Sequence, residues 1–142
     1  MVGGFKDIYG GETTVARLWR WIIDLEKGTV SEEQLDDGAC DFPRINDKYI
    51  GLKSEYGYCM QLKTDVEDLT FGEHLFKYHL ESGKRTDHHL GTNVAGGEPV
   101  FASKPEPYCE DEGWILSLVH ERETRQSKFC LLYTSPSPRD TG

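Results

Sequence analysis

Two acidic side chains in this 142-residue chain stand where a proline restricts the backbone beside them. Asp41 opens the run Asp41-Phe42-Pro43-Arg44-Ile45-Asn46, and Glu98 sits in Gly96-Gly97-Glu98-Pro99-Val100-Phe101. A proline disfavours the helical region for the residue before it, so Glu98 is expected in an extended conformation. Gly96 and Gly97 have no Cβ and let the backbone approach another segment closely or take positive φ. A third acidic run, Glu110-Asp111-Glu112, leads into Gly113-Trp114. A carboxylate held this firmly is suited to accept a hydrogen bond from a fixed donor. The ordinary alternative is a solvated acid at the start of a strand.

Five histidines raise the question of a metal, and their spacing argues against one. On a strand, His74 and His79 point to opposite faces, as do the adjacent His88 and His89. His120 ends a strand-like run, and no histidine has a helical i, i+4 partner or a Cys/His ligand frame. Cys40, Cys59, Cys109 and Cys130 show no C-x-x-C spacing. They read as buried or inert thiols in a reducing cytoplasm rather than as a disulfide framework.

The elements that must position these groups read as β throughout. Trp19, Trp21, Ile23 and Leu25 share one face at period two while their alternates are mixed, which suits a strand covered on both sides. Glu26-Lys27-Gly28 breaks that run and Thr29-Val30-Ser31 resumes it, so a hairpin is expected. The pattern recurs where Phe76, Tyr78 and Leu80 alternate into a turn at Glu81-Ser82-Gly83, and again from Trp114–His120 through a charged turn into Lys128-Phe129. Ser31 to Asp37 is acidic enough to start a helix, but its neighbours favour an extended connector, and Gln61 to Gly72 reads as a polar loop. Three hairpins at wide, similar spacing suggest blades of a β-propeller.

Composition narrows the function classes. A hydrophobic fraction of 37% with 11% aromatic residues packs one core, in one domain at most. The charged fraction is 29% and the mean hydropathy -0.60, and no apolar run reaches the length of a membrane-spanning helix. A net charge of -9 repels nucleic-acid phosphate, and no basic stripe offsets it.

Six blocks, in order and spacing, resemble the carotenoid cleavage oxygenase family of apocarotenoid, carotenoid and stilbene-cleaving dioxygenases. They are Leu18-Trp19-Arg20-Trp21 with Asp24-Leu25; Asp41 to Asn46; Glu55-Tyr56-Gly57-Tyr58; Phe76-Lys77-Tyr78 with Leu80-Glu81-Ser82-Gly83; Gly96 to Phe101; and Glu110 to Trp114 leading into Leu118-Val119-His120. The resemblance implies an all-β fold, part of a seven-bladed β-propeller, with two to three incomplete blades of antiparallel strands here. It also implies a non-haem Fe(II) dioxygenase that cleaves a conjugated C=C bond of a carotenoid, apocarotenoid or stilbenoid to two carbonyl products. Its partners would be a small hydrophobic conjugated substrate and O2, with no nucleic acid. Its location would be cytoplasmic, with peripheral membrane contact open to the whole protein. Two other readings stay open: a non-catalytic propeller-derived binding module, and an isomerohydrolase-like relative.

The cofactor implied is Fe(2+), held in the family by four histidines on separate blades. The flanking motifs of those histidines do not occur in this chain, so no metal ligand is assigned to it. Glu98 and Asp41 match positions where family acids accept a hydrogen bond from an iron-bound histidine, which fixes the tautomer and orientation of that imidazole. Glu98 matches directly. Asp41 stands where glutamate is usual, and one methylene less shortens its reach by about 1.5 Å. Phe42 and Phe101 are candidates for the wall of a substrate tunnel, as more loosely are Trp21, Tyr56, Tyr58 and Trp114, although core burial is the commoner fate of a large aromatic.

Residues 1–129 read as a partial domain of this family, with Met1 preceding what reads as mid-domain sequence. The run Cys130 to Asp140 departs from the family pattern and back-translates to a transposase adapter used in preparing sequencing libraries. Residues 130–142 are therefore expected to be a non-native tail without packed contacts. The chain alone is expected to be inactive.

Overall fold

The period-two patterns become antiparallel strands in the structure, a computed structural model that describes residues 15–64 and 70–134. In chain order they are β1 (Arg17–Asp24), β2 (Thr29–Arg44), β3 (Tyr56–Lys63), β4 (Thr70–His79), β5 (Lys84–His89), β6 (Val94–Ala95), β7 (Val100–Ser103), β8 (Gly113–Glu121) and β9 (Gln126–Tyr133), with one 3-10 turn at Asp47–Tyr49. They form two sheets. The first runs β1-β2-β3-β4-β5. In the second, β6 and β7 pair with the two ends of β8 along one edge, and β9 pairs along the other. Neighbours in sequence are mostly neighbours in the sheets, the antiparallel meander of propeller blades, so the all-β expectation holds.

The two sheets pack through Tyr58, Leu75, Phe101 and Ile115, with Tyr56 and Leu132 against them. On its other face the first sheet buries Cys40, Cys59, Phe76 and Tyr78, with Leu18 and Leu80 alongside. Each large buried side chain of this kind contributes about 1.5–3 kcal/mol. Polar ties reinforce the sheet-to-sheet contact. Lys77 on β4 pairs with Asp111, donates to the Thr134 carbonyl at 2.9 Å and lies 4.7 Å from the Tyr56 ring centroid.

The structure departs from the sequence reading in four places. Both faces of β1 were expected to be covered, yet Trp21 (59%), Ile22 (58%) and Ile23 (63%) are largely exposed. The β1–β2 hairpin runs past the sheet, and only its base reaches the core, through Leu18 and through Arg20, which donates to the Leu80 carbonyl. The acidic connector 31–37 is extended as expected, but it belongs to the sixteen-residue β2, which spans from the hairpin into the main sheet. The loop expected over 61–72 is strand at both ends. There the Gln61 side chain accepts from the Glu73 and His74 amides, bridging a break in register between Met60 and Leu62.

The fourth departure concerns the expected loss of packing after Phe129. Pairing continues through Cys130↔Ser117, Leu131↔Leu116, Leu132↔Ile115 and Tyr133↔Trp114, Leu132 reaches the core, and the Thr134 hydroxyl donates to the Asp111 carbonyl. The physical reason is permissive: an edge strand asks of its sequence only alternation and β-compatible residues, and Cys-Leu-Leu-Tyr supplies both.

Candidate functional site

Asp41 lies where β2 becomes the terminal strand of its sheet. Pairing with β1 ends at Arg17↔Ala39, with a last backbone bond from the Cys40 amide to the Ala16 carbonyl, while Asp41 opposes Met60 on β3. The register breaks between Asp41 and Arg44, and inside that break Phe42 adopts φ 56. A left-handed backbone at a bulky residue costs about 1–2 kcal/mol and persists only where the surroundings hold it. The Phe42 ring meets Phe71 edge-on at 5.3 Å, and the Phe42 amide, whose direction the Asp41 backbone sets, donates to Asp41 Oδ1 at 2.7 Å. Pro43 follows on a free edge, where its missing N–H breaks no ladder bond.

Glu98 lies in the interruption between β6 and β7, again on a terminal edge. The two glycines make that interruption. A Cβ on Gly96 would stand 2.4 Å from Met60 Cε, and one on Gly97 would stand 2.7 Å from the Leu118 carbonyl oxygen. The Gly96 amide donates to the Gly72 carbonyl, and the Ser117 hydroxyl accepts from the Gly97 amide and donates to its carbonyl. Pro99 is fully buried behind Glu98, whose own side chain is exposed and has no hydrogen-bond partner among the described residues. A contact chain thus links the two acids: Asp41-Phe42, then Phe71-Gly72, then Gly96-Gly97-Glu98.

The third acidic run does different work, which the sequence did not disclose. Glu110 is 6% exposed and accepts from the Ser54 hydroxyl (2.5 Å), the Glu55 amide (2.8 Å) and the Tyr56 amide (3.0 Å), anchoring the start of β3. Asn46, which closes the first run, donates to the Glu110 carbonyl at 3.0 Å. Glu112 pairs with Lys104 at 3.0 Å. All three acids are structural, and the signal that could have found them is their packing into one run before a glycine that enters a central strand.

The remaining candidates also find places. Phe101 is 8% exposed and stacks on Tyr58 at 5.5 Å, so its ring packs between the sheets, while Phe42 is 37% exposed at the free edge. Tyr58 is core, and the Trp21 indole N–H donates to Glu32 at 3.0 Å on the projecting hairpin. His74 and His89 face each other across β4 and β5 at 4.9 Å between ring centroids, and His79 contacts the Ser82 hydroxyl. Cys40 and Cys59 are buried, Cys130 is half-buried and Cys109 is exposed; all four thiols are free. Cys59 hydrogen-bonds the Cys40 sulfur, which lowers the pKa of Cys40 and raises that of Cys59. A cleft of about 510 Å³ opens between the sheets beside Tyr56, Lys77, His79 and Lys84, at the end of β4 away from Phe71, and its lysines do not suit a conjugated hydrocarbon.

Iron is the metal the resemblance implies, and the residues present can be tested against it. Among the described residues no three His, Cys, Asp or Glu side chains converge to hold an ion. Asp41 Oδ2 and both Glu98 oxygens accept no hydrogen bond among the described residues, so each acid has room to accept an N–H such as that of an imidazole.

Fold and site together define antiparallel sheets of the propeller-blade kind, with Asp41 and Glu98 at interruptions of their strands. The sequence profile of RPE65, retinal pigment epithelial membrane protein, matches residues 4–135, and the chain belongs to that family, which includes the carotenoid cleavage oxygenases. It is 26% identical to apocarotenoid-15,15'-oxygenase of Synechocystis sp., covering 92% of this chain and 26% of that protein. It is 29% identical to a carotenoid cleavage oxygenase of Mycobacterium tuberculosis, covering 87% of this chain and 25% of that protein. With lignostilbene-alpha,beta-dioxygenase isozyme III of Sphingomonas paucimobilis the identity is 26%, covering 90% of this chain and 29% of that protein. The crystal structure of cobalt-substituted Synechocystis ACO superposes with a TM-score of 0.74 at 27% identity, over 83% of this chain and 24% of that one. The chain spans about a quarter of the length of these relatives.

Proposed function

We propose that this chain is part of an Fe(II)-dependent dioxygenase that cleaves a conjugated C=C bond of a carotenoid, apocarotenoid or stilbenoid. The iron, when bound, supplies the activation of O2. The residues here contribute orientation. Asp41 and Glu98 each accept the free N–H of an imidazole that ligates from elsewhere in the whole protein, holding the ring in one tautomer. The observation that carries the reading is the pair of open carboxylates on terminal strand edges, joined through Phe71, Gly72 and Gly96. Phe42, half-open beside Asp41, is the better placed of the two phenylalanines to meet a hydrophobic substrate. We assign the whole protein to the cytoplasm, with peripheral membrane contact left open, and residues 130–142 to adapter sequence, which reading the genomic locus would test.

The experiment is Glu98→Gln in the whole protein. The substitution keeps size and replaces a charged acceptor with a weaker neutral one, so retained iron and alkene-cleavage rate are expected to fall about 10- to 100-fold with the fold intact. Full iron loading with full activity would return Glu98 to a solvated acid at a strand start.

A further inference from the structure

We propose that Ser117 is the positioning residue for Glu98. Its hydroxyl holds the peptide that precedes the Glu98 Cα, and so sets the direction in which that side chain leaves the strand edge. The inference rests on the role proposed above for Glu98 and deepens it.

β6 and β7 pair with the same edge of β8, but they are out of step with each other. Between the pairs Ala95↔His120 and Val100↔Leu116, four residues (96–99) stand against three (117–119). This is a bulge of one residue, an irregularity that takes backbone out of the ladder and re-aims a side chain. Ser117 holds the backbone there instead. Its Oγ accepts from the Gly97 amide at 3.2 Å and donates to the Gly97 carbonyl at 3.0 Å. Ser117 is 2% exposed, on the same face of β8 as the buried Ile115 and Val119, so the hydroxyl is withdrawn from solvent. Gly97 comes this close because it has no Cβ, which would stand 2.7 Å from the Leu118 carbonyl oxygen. The Gly97 carbonyl lies in one rigid plane with the Glu98 amide. Holding that oxygen fixes the plane before the Glu98 Cα. The plane after it belongs to Pro99, which is fully buried and also keeps Glu98 out of the helical region. With both planes held, the direction of the Glu98 Cβ is determined. Asp41 gives the contrast. Its register break sets two residues (42 and 43) against one (59), and there the Phe42 amide takes an oxygen of the acid itself. At Glu98 the Gly97 amide goes to Ser117, and neither carboxylate oxygen accepts a hydrogen bond among the described residues.

The test reads two quantities in the whole protein: hydrogen exchange at the Gly97 amide, by mass spectrometry, and retained Fe(II). Ser117→Ala is expected to speed that exchange about tenfold, as losing one hydrogen bond does. Retained iron should fall about tenfold with it, the scale of a disturbed partner behind a metal ligand. Ser117→Thr, which keeps the hydroxyl, should stay closer to the parent than Ser117→Ala in both quantities. Ser117→Cys conserves volume but offers only a weak S–H donor. It should behave like Ser117→Ala, and it covers the case in which the alanine variant does not fold. Because Ser117 acts through Glu98, adding Ser117→Ala to Glu98→Gln should lower retained iron no further than Glu98→Gln alone. Parent-like iron in Ser117→Ala, or losses that add in the double variant, would overturn the proposal. Iron indifferent to Glu98→Gln, with Gly97 exchange still accelerated in Ser117→Ala, would instead sink the role proposed for Glu98 and leave Ser117 as a hold on the backbone alone.

Discussion

At the scale of single residues, the acids divide by what they accept from. Glu110 is saturated by one hydroxyl and two backbone amides in a buried setting, whereas Asp41 and Glu98 keep open oxygens at strand edges. Glu110→Ala should therefore orphan the amides that begin β3 and cost about 2–3 kcal/mol, while Glu110→Gln, which keeps one acceptor, should cost about half that. Urea denaturation of the two variants decides it, and equal small losses would mean that water replaces the carboxylate. Asp36 gives the pH dependence. Burial raises its pKa, but hydrogen bonds from Arg85 (2.7 Å) and Tyr78 (2.8 Å) outweigh that and hold it below its ordinary 3.8. A depressed folded value means the stabilisation is present above 3.8 and disappears as pH falls through the lower folded value. Asp36→Asn should accordingly be less stable than the parent chain at neutral pH, with the gap in denaturation midpoint closing as pH is taken below 3.8. A gap that stays constant over that range would exclude the charge as its source.

At the scale of elements, the hairpin turns follow from local stereochemistry. Gly28 and Gly83 take φ +63 and +69, and nothing lies within 4 Å of where a Cβ would stand, so glycine is there for its backbone and not for space. The third hairpin puts Arg125 in the same region at φ 55. Arg125→Gly should then raise stability by up to about 1 kcal/mol, and Gly83→Ala should lower it by about as much. Thermal melts of both variants check the pair, and a destabilising Arg125→Gly would mean that the arginine side chain contributes more than its backbone costs. These turns and the strand periodicity were legible in the sequence because both are local demands. The length of β2, the strand ends around Gln61 and the burial of the 110–112 run were not, because each depends on a partner 12 to 54 residues away: Glu73 for Gln61, Tyr78 for Asp36, Tyr56 for Glu110. The two edge acids were legible through their flanking prolines and glycines and the family pattern. The left-handed Phe42 between them was not, since nothing in Asp-Phe-Pro announces a positive φ.

At the scale of the whole molecule, two blades leave strand edges and faces that a larger ring of blades would cover. Among the described residues β1 pairs only with β2 and carries Trp21, Ile22 and Ile23 in the open, and β9 pairs only with β8 and exposes Phe129 (66%), Leu131 (54%) and Tyr133 (60%). The edge strand β5 reads Lys84-Arg85-Thr86-Asp87-His88-His89 and is exposed throughout, the charged composition by which proteins keep edges from pairing. Self-association of the chain should therefore run through β1 and β9 and spare β5. Sedimentation velocity over a range of concentrations is expected to show association of the parent chain. Ile23→Lys with Phe129→Lys should reduce it, because each places a charge beside an open ladder, whereas Lys84→Ala should change it little. If the double-lysine variant associates as strongly as the parent chain, the apolar edges are not the contact. If Lys84→Ala associates markedly more, β5 was the edge held apart only by its charge.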